Sequence, residues 1–141
     1  MQHFIALFIA LFLMPVVTAC GPSAGAIDKK LAKACEESVK IFLAETDRLE
    51  VKKSSFSSDK GFNNLPLRIV KLDTHLAHEN EAPQEKTYTC SYSQQLTMLD
   101  KGVEFYSMEM GGSRYGNFDG HIEGEMTDLL KIAEVTRKNI H

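Results

Sequence analysis

A pair of histidines followed by two glutamates is the first group of side chains that could do chemistry. His75 and His78 lie at the predicted end of a strand, and Glu79 and Glu81 follow in a polar segment. Imidazole nitrogens and carboxylate oxygens are both ligands of zinc in proteins. The sequence fixes no third ligand for this group, so we interpret it as a solvated loop, with metal binding as the alternative.

A second group alternates along the chain closer to its C-terminal end. His121, Glu123 and Glu125 would all project from one side of an extended segment. A metal-assisted enzyme is the hypothesis that this group supports. Because three glycines lie nearby and a metal site needs a rigid supporting shell, we predict no bound metal here.

Other signs of catalysis or of a cofactor are weak in this sequence. No glycine-rich phosphate loop of known spacing is present. The chain has 19 acidic residues, and their spacing singles out no pair for general acid–base work. We therefore predict a protein that is not an enzyme and that needs no cofactor.

The first 20 residues form an apolar leader that ends at a cysteine. Every residue from 4 to 13 is apolar, a length typical of a signal-peptide core and short of the roughly 20 residues that a transmembrane helix needs. Val17-Thr18-Ala19-Cys20 resembles the lipobox of bacterial lipoproteins, although the residues before the run include no Lys or Arg. The alternative is a buried apolar helix, but this run has no polar residues at helical spacing.

The lipoprotein resemblance implies a place for the protein in the cell. Residues 1–19 would be the signal peptide, Cys20 the lipidated residue, and residues 20–26 a short tether. Several acyl chains hold a protein stably on a bilayer. The residue after the cysteine is Gly21 and not Asp, which favours the bacterial outer membrane.

Composition limits the partners of the 122 residues that remain after residues 1–19. They carry the whole net charge of −3, since the leader has no charged side chain. Along the sequence there is no basic stripe, which argues against nucleic acid and against electrostatic docking on anionic lipid. The size fits one domain, residues 27–141.

Two cysteines are left once Cys20 is assigned to lipid. Cys35 lies in the apolar stripe of a predicted helix and Cys90 on the apolar face of a predicted strand, so both point to the core. In an envelope compartment we predict a disulfide between them, with two buried thiols as the alternative.

The predicted elements form an α+β domain. It has an N-terminal helix over residues 27–46, a four- to five-stranded antiparallel meander, and a C-terminal helix over residues 127–139 with Thr127 as its N-cap. The four firm strands are predicted at 49–57, 67–75, 87–98 and 103–110, with turns at 58–61 and 99–102. In the third strand Tyr88, Cys90 and Tyr92 share one face.

Residues 111–124 contain five glycines and could be a loop or a bent fifth strand. Tyr88-Thr89-Cys90 and, within this segment, Arg114-Tyr115 resemble parts of the membrane-bound lysozyme inhibitors, which are small envelope lipoproteins. That resemblance implies that the protein inhibits an envelope-directed hydrolase such as lysozyme, and that residues 111–124 are the segment that inserts into the enzyme. The sequence departs from the family at Gly111, where the motif has a serine, and by its leading helix.

The fourth strand supplies the last candidate surface. Strict alternation places Tyr106, Met108 and Met110 on the face opposite Val103 and Phe105. One face packs on the helices, and an exposed face rich in Met and aromatic residues would be a partner site.

Our leading interpretation is therefore a lipid-anchored envelope protein that acts through protein–protein contact. The candidate contact residues are Arg114, Tyr115, Tyr106 and Met108. The alternative is an inhibitor of an envelope-directed hydrolase such as lysozyme, and a metal-assisted periplasmic enzyme is the third hypothesis.

Overall fold

A computed structural model describes residues 24–96 and 101–141. The leader, Cys20 and the first half of the turn predicted at 99–102 lie outside the described residues. The elements are α1 (Ala24–Lys40), β1 (Arg48–Lys60), β2 (Pro66–Ala77), β3 (Gln84–Leu96), β4 (Lys101–Met110), β5 (Ser113–Phe118), β6 (His121–Glu123) and α2 (Met126–Ile140). Neither of these helices is long and apolar enough to cross a membrane.

The strands form one antiparallel meander in the order β1-β2-β3-β4-β5-β6. The predicted α+β class, with a helix at each end of the meander, is confirmed. The sheet has six strands because the glycine-rich segment folds into β5 and β6. These two strands pair through Gly116 with Glu123 and Phe118 with His121.

Both helices lie on one face of the sheet, and the core is between them and the strands. The alternation predicted in β3 is confirmed, since Tyr88, Cys90 and Tyr92 are all buried. Cys90 forms a disulfide with Cys35 of α1, as predicted. This bond joins the first helix to the middle of the sheet.

The first helix is shorter than predicted and ends at Lys40. The amides of Ile41 and Phe42 bond to carbonyls three residues back, which tightens and ends the helix. Asp47 then accepts a hydrogen bond from the amide of Ala44 and shapes the following turn. The apolar stripe continues through this turn because the Phe42 ring packs on Tyr115 from outside the helix.

Several boundaries differ from the sequence predictions. β1 continues to Lys60 through the predicted turn, and its connection to β2 is a short 3-10 helix at Phe62–Asn64. The helix α2 begins at Met126, with Glu125 as its N-cap, so the prediction of Thr127 as N-cap is wrong. Its buried positions are Ile132 and Thr136, whereas Leu130 is exposed.

A β-bulge in β4 changes which residues share a face. Ser91 pairs with Ser107 but Tyr92 pairs with Phe105, which leaves Tyr106 as the extra residue. The parity of the strand shifts there, so Phe105 packs on the core together with Met108. The prediction that these two side chains lie on opposite faces is wrong, because sequence alternation assumes an unbroken ladder.

Candidate functional site

Arg114 is held in place on the sheet face opposite the helices. Its Nη1 lies 3.1 Å from Oε1 of Glu123, and its Nε lies 4.0 Å from Oε1 of Glu109. Its guanidinium also lies 3.7 Å from the ring centroid of Phe118, a cation–π contact. The side chain is 43% exposed. This arrangement connects β4, β5 and β6 and leaves one edge of the guanidinium open to solvent.

Tyr115 does not join Arg114 in a common site. Neighbouring residues of a strand point to opposite faces, and Tyr115 points to the helix side. Its ring centroid lies 4.5 Å from that of Phe42. The segment predicted as a candidate inserting loop is a β-hairpin, and its tyrosine is part of the packing.

Tyr106 and Met108 do not form an exposed partner patch either. Met108 is 0% exposed, so its place in such a patch is a wrong prediction. The hydroxyl of Tyr106 accepts a hydrogen bond of 2.9 Å from the amide of Phe62. Gly61 lies so close that an added Cβ would be 2.8 Å from this hydroxyl oxygen. The bulged tyrosine therefore fastens the β1–β2 connection to the sheet.

His75 and His78 have separate partners. His75 Nε2 lies 3.5 Å from a carboxylate oxygen of Glu85 across the β2–β3 pair. His78 Nδ1 lies 2.8 Å from Oδ1 of Asp47 in the connection between α1 and β1. The hydrogen bond with His78 lowers the pKa of Asp47. These contacts fasten two connections of the fold, and Asp47 was not among the residues that spacing had singled out.

His121, Glu123 and Glu125 are not gathered into one site. Glu123 is bound to Arg114, and Glu125 lies beyond β6 at the start of α2, after Gly124 with a φ of 93°. Within residues 24–96 and 101–141 no three His, Cys, Asp or Glu side chains are close enough to hold a metal ion.

The feature that sequence reasoning missed is an apolar edge, formed by Ile122, Met126 and Leu130. These side chains are 63%, 66% and 62% exposed. Met126 and Leu130 are four residues apart on α2, so their Cβ atoms are neighbours on one helix face. Ile122 lies on the helix side of β6, the strand at the edge of the sheet next to the start of α2. The four-residue spacing of Met126 and Leu130 is visible in the sequence, but it is equally typical of a helix face that packs on the core.

Asp128 and Lys131 form an ion pair of 3.6 Å elsewhere on α2. Asp128 is two residues from both Met126 and Leu130, so it lies on another face of the helix and leaves the apolar pair uncovered. The edge strand at the other side of the sheet, β1, carries a bulge at Lys52 and polar side chains, features that oppose strand-to-strand association.

Comparison of the chain with protein-family models, with curated proteins and with solved structures finds no match.

Proposed function

We propose that this chain is a lipid-anchored protein of the bacterial envelope that binds another envelope protein through the apolar edge, without catalysis. The observation that carries the proposal is the exposure of Ile122, Met126 and Leu130, each above 60%. Large apolar side chains scattered singly are normal on a surface, but these three lie within nine residues of one another on two adjoining elements, β6 and α2. Covering apolar surface of this kind lowers the free energy of a complex with a partner.

Lipid attachment in this proposal takes place at Cys20, in its lipobox-like context. Acylation would confine the domain to the membrane surface and raise its effective concentration near membrane-associated partners. The partner we envisage is a protein that offers an apolar groove or helix face, since the edge presents side chains from a helix and a short strand.

Site-specific photo-crosslinking in intact envelopes tests this proposal. A photoreactive amino acid replaces Leu130 in the full-length protein, and the control places it at Lys53, an exposed residue of β1. We expect one dominant adduct from position 130 and none of the same mass from position 53. Adding Met126→Gln should remove the adduct without loss of folding, because this side chain is 66% exposed.

Two results would overturn the proposal. An identical adduct pattern at positions 130 and 53 would show that the apolar edge has no special partner. An adduct that persists undiminished in a Cys20→Ser form would show that the anchor plays no part in the encounter. An adduct with a soluble hydrolase would indicate that the apolar edge binds and inhibits an enzyme, and that the protein is not an accessory to an envelope partner.

A further inference from the structure

We propose that the end of the domain next to Cys20 docks on anionic phospholipid headgroups through a basic patch, formed by Lys29, Lys30, Arg137 and Lys138. The proposal rests on the acylation of Cys20 proposed above for its placement at a membrane. It adds a second attachment, which is electrostatic and which fixes the orientation of the domain.

The length of chain between the anchor and the first helix keeps this end close to the bilayer. Four residue steps separate Cys20 from Ala24, the first residue of α1. A fully extended chain covers about 3.5 Å for each residue, so the start of α1 lies within about 14 Å of the anchored cysteine. The charged side chains of the first turns are then within reach of headgroups.

Contacts between elements place the end of α2 at the same end of the domain. Nζ of Lys30 donates a hydrogen bond of 2.8 Å to the carbonyl of Ile140. The start of β2 is there too, because Arg68 forms two hydrogen bonds with Asp28 of α1, of 2.9 and 2.6 Å. Two basic segments that are about 100 residues apart in sequence thus become neighbours. We predicted no electrostatic docking on anionic lipid because no basic stripe runs along the chain, and that reasoning does not apply to charges that only the fold brings together.

The four basic side chains of the patch are exposed, and no ion pair with an acidic side chain neutralises them within the described part of the chain. Among the residues that the structure describes, none of the four lies within 4.0 Å of an acidic side chain. Lys33 and Lys40 of the same helix are different, since both are paired with Glu37.

Acidic residues near the basic patch reduce its charge without cancelling it. Asp28 is neutralised by Arg68. Glu134 lies one turn before Lys138 on α2, and Glu104 lies on β4 beside the end of α2. Within these stretches of α1 and α2 the acidic side chains are Asp28, which Arg68 neutralises, and Glu134, so the four cations leave a positive balance.

The opposite end of the domain is acidic. It contains the connection after α1, the β2–β3 loop and the start of α2. Its acidic residues outnumber its basic residues Arg48, Lys86 and Lys131, and they are Glu45, Asp47, Glu79, Glu81, Glu125 and Asp128. A negatively charged bilayer attracts one end and repels the other, so the start of α2, with Met126 of the apolar edge, would point away from the membrane.

Acrylamide quenching of a fluorophore on the lipidated full-length protein measures this orientation. The label is placed at Ala26→Cys, near the patch, and in a matched protein at Ala44→Cys, beyond the other end of α1; both alanines are exposed. The vesicles are pure phosphatidylcholine, or equal amounts of phosphatidylcholine and phosphatidylglycerol. Each basic residue near an anionic surface shifts the docked-to-free ratio by about fivefold, so four give a shift on the order of several hundredfold.

We expect the label at position 26, and not at 44, to be shielded from acrylamide more strongly on the anionic vesicles than on phosphatidylcholine vesicles, and to lose this difference in high salt. The variant Lys29→Gln/Lys30→Gln/Arg137→Gln/Lys138→Gln should remove the difference. A control with the same charge loss, Lys52→Gln/Lys53→Gln/Lys71→Gln/Lys86→Gln, should keep it.

Equal shielding on both kinds of vesicle, or equal loss in both variants, would overturn the proposal. The vesicles contain no other protein, so a failure to find a partner for the apolar edge has no influence on this result. The mass of the N-terminal peptide establishes acylation beforehand, which separates a missing anchor from a missing electrostatic contact.

Discussion

Gly116 in the middle of β5 offers the most direct test of how the β5–β6 hairpin is built. Its φ is +101°, and it pairs with Ser107 of β4. A Cβ added at this position would be 2.2 Å from the carbonyl oxygen of Tyr106 and 2.8 Å from the Cα of Ser107. Both are backbone atoms of β4, so no side chain can move aside.

Gly112 provides a matched control for the substitution Gly116→Ala. Its φ is +92°, but an added Cβ there has no neighbour within 4 Å. Gly112→Ala should therefore cost only the backbone strain of a positive φ, about 1–2 kcal/mol. Gly116→Ala has the same backbone strain, and its Cβ would also lie more than 1 Å closer to the Tyr106 carbonyl oxygen than an ordinary van der Waals contact allows. Strands β4 and β5 can relieve this clash only by moving apart.

We expect Gly116→Ala to lower the free energy of unfolding by about 4 kcal/mol or more, the range in which single substitutions report a specific structural conflict. Urea denaturation followed by circular dichroism gives both values on the same scale. If the two alanine variants differ by less than about 1 kcal/mol, the close approach of β5 to the bulge of β4 is not present in solution, and the reasoning fails.

Two further predictions concern contacts far from this hairpin. Replacing both Cys35 and Cys90 by Ala opens a 55-residue loop, which the chain-entropy model values at about 4 kcal/mol; a loss below about 1 kcal/mol in denaturant would contradict a role in stability. Asp47 has a lowered pKa in the folded protein because of its hydrogen bond with His78. The carboxylate therefore stabilises the fold above the unfolded-state pKa of about 3.9, and this contribution is lost as the pH falls through the lower folded value. The stability difference between the native protein and Asp47→Asn should shrink between neutral pH and pH of about 3, and a difference that stays constant would refute the assignment.

Local patterns predicted several features correctly because each of them depends on near neighbours in the sequence. The alternation of Tyr88, Cys90 and Tyr92 reflects a period of two that every regular strand obeys. The apolar stripe of the first helix placed Cys35 in the core, and the disulfide with Cys90 followed from these two local patterns. Element type and order were therefore accessible without any knowledge of distant contacts.

Features that depend on one backbone meeting another were not accessible in this way. The bulge at Tyr106 arises from the fit of β4 to β3, and it places Phe105 and Met108 on one face, where strict alternation had assigned opposite faces. The glycine-rich segment was undecided between loop and strand, because both the positive φ of Gly116 and its close approach to β4 are set by the strand pairing.

Local periodicity was enough to predict the α+β class, the helix at each end of the meander and the inward position of both bridged cysteines. The side chains that share a face recur at fixed intervals in a helix or a strand, so the pattern is visible along the chain. Packing between distant elements sets which apolar residues of α2 remain exposed and which charges become neighbours. Lys30 and Arg137 have no relation along the chain, and the packing of α1 beside α2 brings them to one end of the domain.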